Sequence, residues 1–182
     1  MKDIALHVLD LVQNSVSANA NLIEINIEEK PDQNLYILTI KDNGKGMSPE
    51  LLAKVKDPYT TTRTTRKVGL GIPLLAQNAE MAGGSLEIKS TLGVGTQLCA
   101  KFQMDHIDRV PIGDIAGVIV MSVCMNPNLD FIYSHLTQKG EYIFDTREVK
   151  AVLEGVSINE IAIQKYLKEL IEESLKEIEY TR

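Results

Sequence analysis

Asp10 and Asn14 stand four residues apart, so on a helix the carboxylate and the amide lie one above the other and aim at the same point. Hard cations such as magnesium take oxygen ligands, which the Asn14 amide would supply while phosphate oxygens and waters complete the octahedron. Asp10 would then orient or deprotonate a water, or a partner's hydroxyl, in line with a terminal phosphate. In Asp42-Asn43-Gly44-Lys45-Gly46-Met47 a carboxylate is followed by glycines at i+2 and i+4, which lets backbone approach a flat ligand closely. Asp42 would accept a hydrogen bond from the exocyclic amine of adenine, where guanine carries an oxygen. Gly69-Leu70-Gly71 opens a helical stretch and offers free N–H groups to a polyphosphate, and Arg63, Arg66 and Lys67 just before it would neutralise the same charge. Thr96, after Gly93-Val94-Gly95, carries a hydroxyl that would join Asp42 around the base, directly or through a water.

Each of these signals has a plain structural reading as well. Asp10 and Asn14 also fit a solvated helix face, Asp-Asn-Gly a tight turn, Gly69-Leu70-Gly71 a hinge beside solvated charges, and Gly93 to Thr96 a hairpin turn. Two rival phosphate-binding patterns are missing. There is no GxxxxGK[ST], and Gly69-Leu70-Gly71 follows a Thr/Arg-rich stretch rather than a strand and lacks the third glycine of the dinucleotide fingerprint.

The elements that must hold these residues can be traced along the chain. Residues 2–20 place Ile4, Ala5, Val8, Leu9, Leu11, Val12 and Val16 on one side of a helix, with Asp3, His7, Asp10 and Asn14 on the other. Residues 22–29 and 35–41 alternate as two strands around a turn at Pro31-Asp32. A short helix is expected at 49–55, then a mobile Thr/Arg-rich loop, and from Gly71 a helix with Pro73 in its first turn that stops at Gly83-Gly84. Strands at 85–91 and 96–103 follow. Beyond 105 the pattern changes. Residues 114–125 read either as a helix capped by Asp114 or as a buried strand through Val118-Ile119-Val120. A hairpin at 130–137 and 141–145 turns at Lys139-Gly140, with a short helix after Asp145. Ser157 to Glu160 reads as a capping box for a last helix to about residue 179, with Ile161, Tyr166, Leu167, Leu170, Ile171 and Leu175 along one face. That face would pack on its own domain or form a dimer seam.

The 182 residues, 44% hydrophobic and 24% charged, describe a globular chain with room for a real core. A net charge of -6 gives no electrostatic footprint for nucleic acid. No apolar run reaches the roughly 20 residues of a membrane span, and Asp3, His7 and Asp10 interrupt any signal-peptide core. A cytoplasmic location, without nucleic acid or membrane as a partner, is the expectation. Cys99 and Cys124 are read as reduced core residues.

Taken in order, these motifs resemble the GHKL superfamily over residues 1 to about 104. DLVQNSVSANANLIEINI at 10–27 is similar to the first ATP-binding motif of mismatch-repair and gyrase ATPases. YTTTRTTRKVGLGIPLLAQNAEMAGGSLEIKSTLGVGTQLCAKF, at 59–102, resembles the lid and second half of a histidine-kinase catalytic domain. The resemblance implies Asn14 as magnesium ligand, Asp42 as adenine acceptor beside Gly44, Gly46 and Met47, Gly69, Leu70 and Gly71 at the phosphates with Arg63, Arg66 and Lys67 from the lid, and Thr96 closing the base pocket. It departs from the pattern at Asp10. Hydrolysing members of the superfamily carry Glu there, one methylene longer, and histidine kinases carry Asn, so an acid points to the hydrolase or serine-kinase branch.

The expected architecture is α/β, a two-layer sandwich of a mixed β-sheet with helices on one face (the Bergerat fold) over residues 1–104, plus a small α+β C-terminal appendage at 105–182 for partner recognition or dimerisation. The expected cofactors are ATP and Mg2+. The expected role is regulatory, hydrolysing ATP or passing its γ-phosphate to a separate protein, because no phosphoacceptor histidine on a helical hairpin precedes the ATP-binding helix. A non-catalytic, ATP-responsive binding module is the alternative.

Overall fold

The computed structural model describes residues 1–55 and 70–180. Helix α1 (Ile4–Ser17) starts where Asp3 accepts the Leu6 N–H at 2.8 Å, satisfying one of the helix's orphan donors. Strands β1 (Leu22–Lys30) and β2 (Leu35–Asp42) follow as an antiparallel pair. The reversal between them ends at Asn34 with φ +50, a left-handed conformation that Asn tolerates. After the short α2 (Pro49–Lys54), α3 (Gly71–Met81) stops where Gly83 takes φ +70. Strands β3 (Ser85–Thr91) and β4 (Gly95–Gln103) form the second antiparallel pair. The Thr/Arg-rich stretch expected as a loop falls mostly on residues 56–69, outside the described residues, and with it lie Arg63, Arg66, Lys67 and Gly69.

The sheet continues past residue 104. Helix α4 (Ile115–Met125) leads to β5 (Asp130–Leu136) and β6 (Glu141–Asp145), then α5 (Thr146–Val152) and α6 (Ile161–Glu177). The strand order is β3-β4-β2-β1-β5-β6, antiparallel throughout except that β5 runs parallel to β1. Contacts run from α3 to α1, from α1 to α4 and from α4 to α6, so these four helices form one layer over the mixed sheet. Ile23, Ile25 and Ile27 of β1, Leu38 and Ile40 of β2, Ala100 and Phe102 of β4 and Phe131 and Tyr133 of β5 are buried beneath it. Each large apolar side chain so buried contributes about 1.5–3 kcal/mol, before the entropy of ordering the chain is subtracted.

The segment that read as either helix or strand is a helix. Asp114 accepts the Gly117 N–H at 2.9 Å, and seven residues of α4 are buried between its neighbours. A helix covered on most sides loses its polar stripe, and with it the period that would separate it from a strand.

Three sequence expectations fail here. Ser157 does not cap a helix: its hydroxyl takes the Asn159 N–H at 3.3 Å, and α6 begins at Ile161 behind a Glu160 that makes no side-chain cap bond. Ile158, buried in the core, holds that turn in place. The inward face of α6 is Leu167, Ile171 and Leu175, while Ile161 is 85% and Tyr166 61% exposed. His7, grouped by period with the polar face of α1, is fully buried because α3 covers that side. Among the described residues no helix is long and apolar enough to cross a membrane.

Candidate functional site

One end of the buried sheet face is polar. Antiparallel register sets Asp42 opposite Thr96, and Thr96 opposite Ser90, giving a cross-strand row of one carboxylate and two hydroxyls from β2, β4 and β3. Asp42 closes β2 and is 8% exposed. Ser15 of α1 donates its hydroxyl to Oδ2 at 2.9 Å, and the Gly44 N–H donates to Oδ1 at 2.9 Å, so the carboxylate is aimed by two elements. A Cβ on Gly44 would lie 2.7 Å from the Ala18 carbonyl oxygen, which explains the glycine. Gly46 has φ +64, and a side chain there would collide with Thr91. The loop is stitched on both sides: the Lys45 N–H bonds Ala18 O at 2.8 Å, and the Gly93 N–H bonds Lys45 O at 2.7 Å.

Asp10 and Asn14 face this row from α1. They line a cleft of about 220 Å³ together with Asp42, Gly46, Met47, Gly71 and Thr96. Gly71 is the first residue of α3, and a Cβ there would collide with the Asp10 carboxylate, so the helix start and the acid pack directly on each other. Of the residues singled out in the sequence, the structure brings those seven into one cleft. Gly44 stands behind it as a support for Asp42. Leu70 caps α3, 48% exposed, and does not line the cleft.

Sequence reasoning missed Ser15 and Ser90. Ser15 continues the buried stripe of Val8 and Leu11 on α1, and a hydroxyl on an apolar stripe is a legible flag. Ser90 had no such signal, since its contacts to Met47 and Gly95 depend on the pairing of three segments.

Between α1 and α3, His7 Nε2 lies 2.8 Å from Asn78 Nδ2, and that amide also donates to the Met1 carbonyl at 3.2 Å. An amide nitrogen only donates, so Nε2 accepts and the ring is neutral. Burial, followed by the N-terminal amine, lowers the pKa to about 4, against a smaller opposing pull from Asp3. His7 therefore clamps α3 onto α1 one turn before Asp10.

Two other features gather polar or apolar side chains away from this cleft. A wider groove of about 590 Å³ lies between α4 and α6, bordered by Met121, Met125, Ile161, Lys165 and Lys168. Its Lys168 is already bonded to Asp114 at 2.8 Å, and among the described residues that line the groove there is no acid or hydroxyl. In the core, His135 joins Glu29 at 2.8 Å and the Tyr133 hydroxyl at 2.9 Å. All three residues are buried, away from the cleft lining. Among the described residues no group of three or more His, Cys, Asp or Glu side chains could hold a metal on its own.

Comparison with known proteins agrees with the geometry. The chain is 33% identical over 89 residues to the sensor histidine kinase ZraS of Salmonella typhimurium, an alignment covering 48% of this chain and 19% of that protein. The curated relatives it matches are much longer, and the chain spans 11–20% of their lengths. Among solved structures it superposes on the N-terminal domain of a DNA repair protein with TM-score 0.57 and 19% identity, covering 79% of this chain and 52% of that one. It also superposes on the Aquifex aeolicus MutL ATPase domain complexed with ADP, with TM-score 0.51 and 16% identity, covering 85% and 70%. At such identities these two likenesses speak for the fold alone. Residues 2–106, more than half of the chain, match the family described as histidine kinase-, DNA gyrase B- and HSP90-like ATPase, and the chain belongs to that family.

Proposed function

We propose that this chain is an ATP-binding regulatory protein that binds Mg-ATP in the α1/α3 cleft and hydrolyses it or passes the γ-phosphate to a separate protein. The observation that carries the reading is the convergence of Asp42 and Thr96, from the sheet end, on the same cleft as Asp10, Asn14 and Gly71. Asp42 keeps acceptor capacity on both oxygens after its two internal bonds, which suits an exocyclic amine. The N-terminus of α3 offers backbone N–H groups to phosphate, and Gly71 keeps that approach open.

The residues present fit a magnesium ion held chiefly by the ligand's own phosphates. Asn14 supplies an amide oxygen, and the ion would offset phosphate charge when bound. Asp10, packed on the start of α3, is the acid positioned to orient and deprotonate an attacking water or hydroxyl. Arg63, Arg66, Lys67 and Gly69 are assigned to the phosphates on sequence grounds.

Calorimetric titration with Mg-ATP tests binding: the wild type should give a saturable heat that Asp42→Asn greatly weakens. A wild type without heat, or an Asp42→Asn variant that binds equally well, would sink the reading. Phosphate release and label transfer to candidate partners then test turnover. Asp10→Asn should abolish either activity while the nucleotide still binds, and activity that survives the substitution would leave a purely ATP-responsive module.

A further inference from the structure

Ser90 does not line the cleft, yet it is the hub behind it. Its Oγ accepts the Met47 N–H at 2.8 Å, donates to the Gly95 carbonyl at 2.9 Å and lies 2.8 Å from Thr96 Oγ1. A serine hydroxyl has one proton and two lone pairs. The Gly95 carbonyl can only accept, so the Ser90 proton is spent there. The Met47 N–H takes one lone pair, and the other remains for Thr96. In the Ser90–Thr96 contact the proton must then come from Thr96, which leaves only lone pairs of Thr96 Oγ1 for the cleft.

We infer that Ser90 is a positioning residue that sets base specificity by turning Thr96 into an obligate acceptor. This rests on the reading of the cleft as an ATP site. Next to Thr96 in the same row, Asp42 is an acceptor too, its oxygens already taking hydrogen bonds from Ser15 and Gly44. Where both face the C6 substituent of a purine, two neighbouring acceptors favour an amine, which has one N–H for each, and oppose a carbonyl oxygen, since two oxygens without a proton between them repel. Without Ser90, the Thr96 proton is free to turn into the cleft and serve that carbonyl.

The experiment compares ATP with inosine triphosphate, which differs from it in carrying a keto oxygen in place of the amine and a proton on N1. Affinities of both, with magnesium, are measured for the wild type, Ser90→Ala and Ser90→Thr, with a melting curve for each. Losing the Met47 bond loosens the loop and weakens both nucleotides alike, so the ratio of affinities isolates the hydroxyl's direction. Ser90→Ala should narrow the preference for ATP by about tenfold, the worth of one hydrogen bond. Ser90→Thr, which keeps the hydroxyl on a β-branched strand residue, should restore it. If Ser90→Ala does not fold, Ser90→Cys replaces it, because a thiol of similar shape is a weak acceptor and should narrow the ratio in the same way. A folded Ala or Cys variant with the wild-type ratio overturns the inference while leaving ATP binding intact. A wild type that binds neither nucleotide removes the ATP reading itself.

Discussion

Two carboxylates sit on neighbouring strands of one sheet, both turned toward the helices, and their surroundings separate a site from a support. Asp42, at the end of β2, receives one hydroxyl and one backbone N–H and still borders a cleft. Glu29, near the end of β1, is bonded to His135, itself bonded to Tyr133, with no exposed edge to any of the three. The first arrangement leaves hydrogen-bonding capacity facing a void, and the second consumes it inside the core. Burial of polar groups therefore marks function only where acceptors remain unspent at a surface a ligand can reach. The second cluster ties β5 to β1 and specifies how the C-terminal strands dock.

The contrast can be broken by substitution. The largest expected effect is on the closed cluster: His135→Ala removes the imidazole that Glu29 and Tyr133 share and leaves a cavity, costing about 4 kcal/mol in urea unfolding. The nucleotide affinity of the molecules that remain folded should be unchanged. A loss of affinity there would merge the two clusters into one site.

Next comes acid sensitivity from His7, whose pKa of about 4 in the fold compares with an ordinary 6.5. Between those values the unfolded chain binds a proton that the folded chain refuses, so stability is complete above pH 6.5 and falls as the pH drops toward 4. The full shift corresponds to about 3 kcal/mol. Urea midpoints measured across that window should show the decline, and His7→Gln should flatten it.

At the open cluster, Asp42→Asn should lower ATP affinity about a hundredfold by replacing an acceptor with a donor, with a nearly unchanged melting temperature. A large drop in melting temperature would mean that Asp42, like Glu29, serves the fold. The smallest effect is expected outside both clusters, where Tyr166→Ala on the exposed side of α6 should change stability by less than about 0.5 kcal/mol.

The first half of the chain was the more legible. Asp10 with Asn14, the Asp42 to Met47 loop and Gly71 all act at short range, and their spacing alone fixes which groups share a direction. What escaped depended on tertiary contact. Ser15 meets Asp42 across 27 residues. His7 followed the polar stripe of α1 by period, but Asn78 of α3, 71 residues away, closes over it. In α6, local capping chemistry suggested a start three residues early, and the burial of Ile158 outweighed it. Nothing local announces that β5 pairs with β1, because a parallel partner is reached only through a crossover that the strand's own residues do not encode.

That parallel pairing has a practical consequence. A fragment cut at residue 104 would keep every residue that lines the α1/α3 cleft but strip β5 from β1, uncovering the hydrogen-bonding edge of an isoleucine-rich strand from Leu22 to Glu28. Such a bare edge is a template for another chain. The shortened protein should therefore self-associate into ribbons or precipitate, and the last 78 residues act as a built-in guard against it.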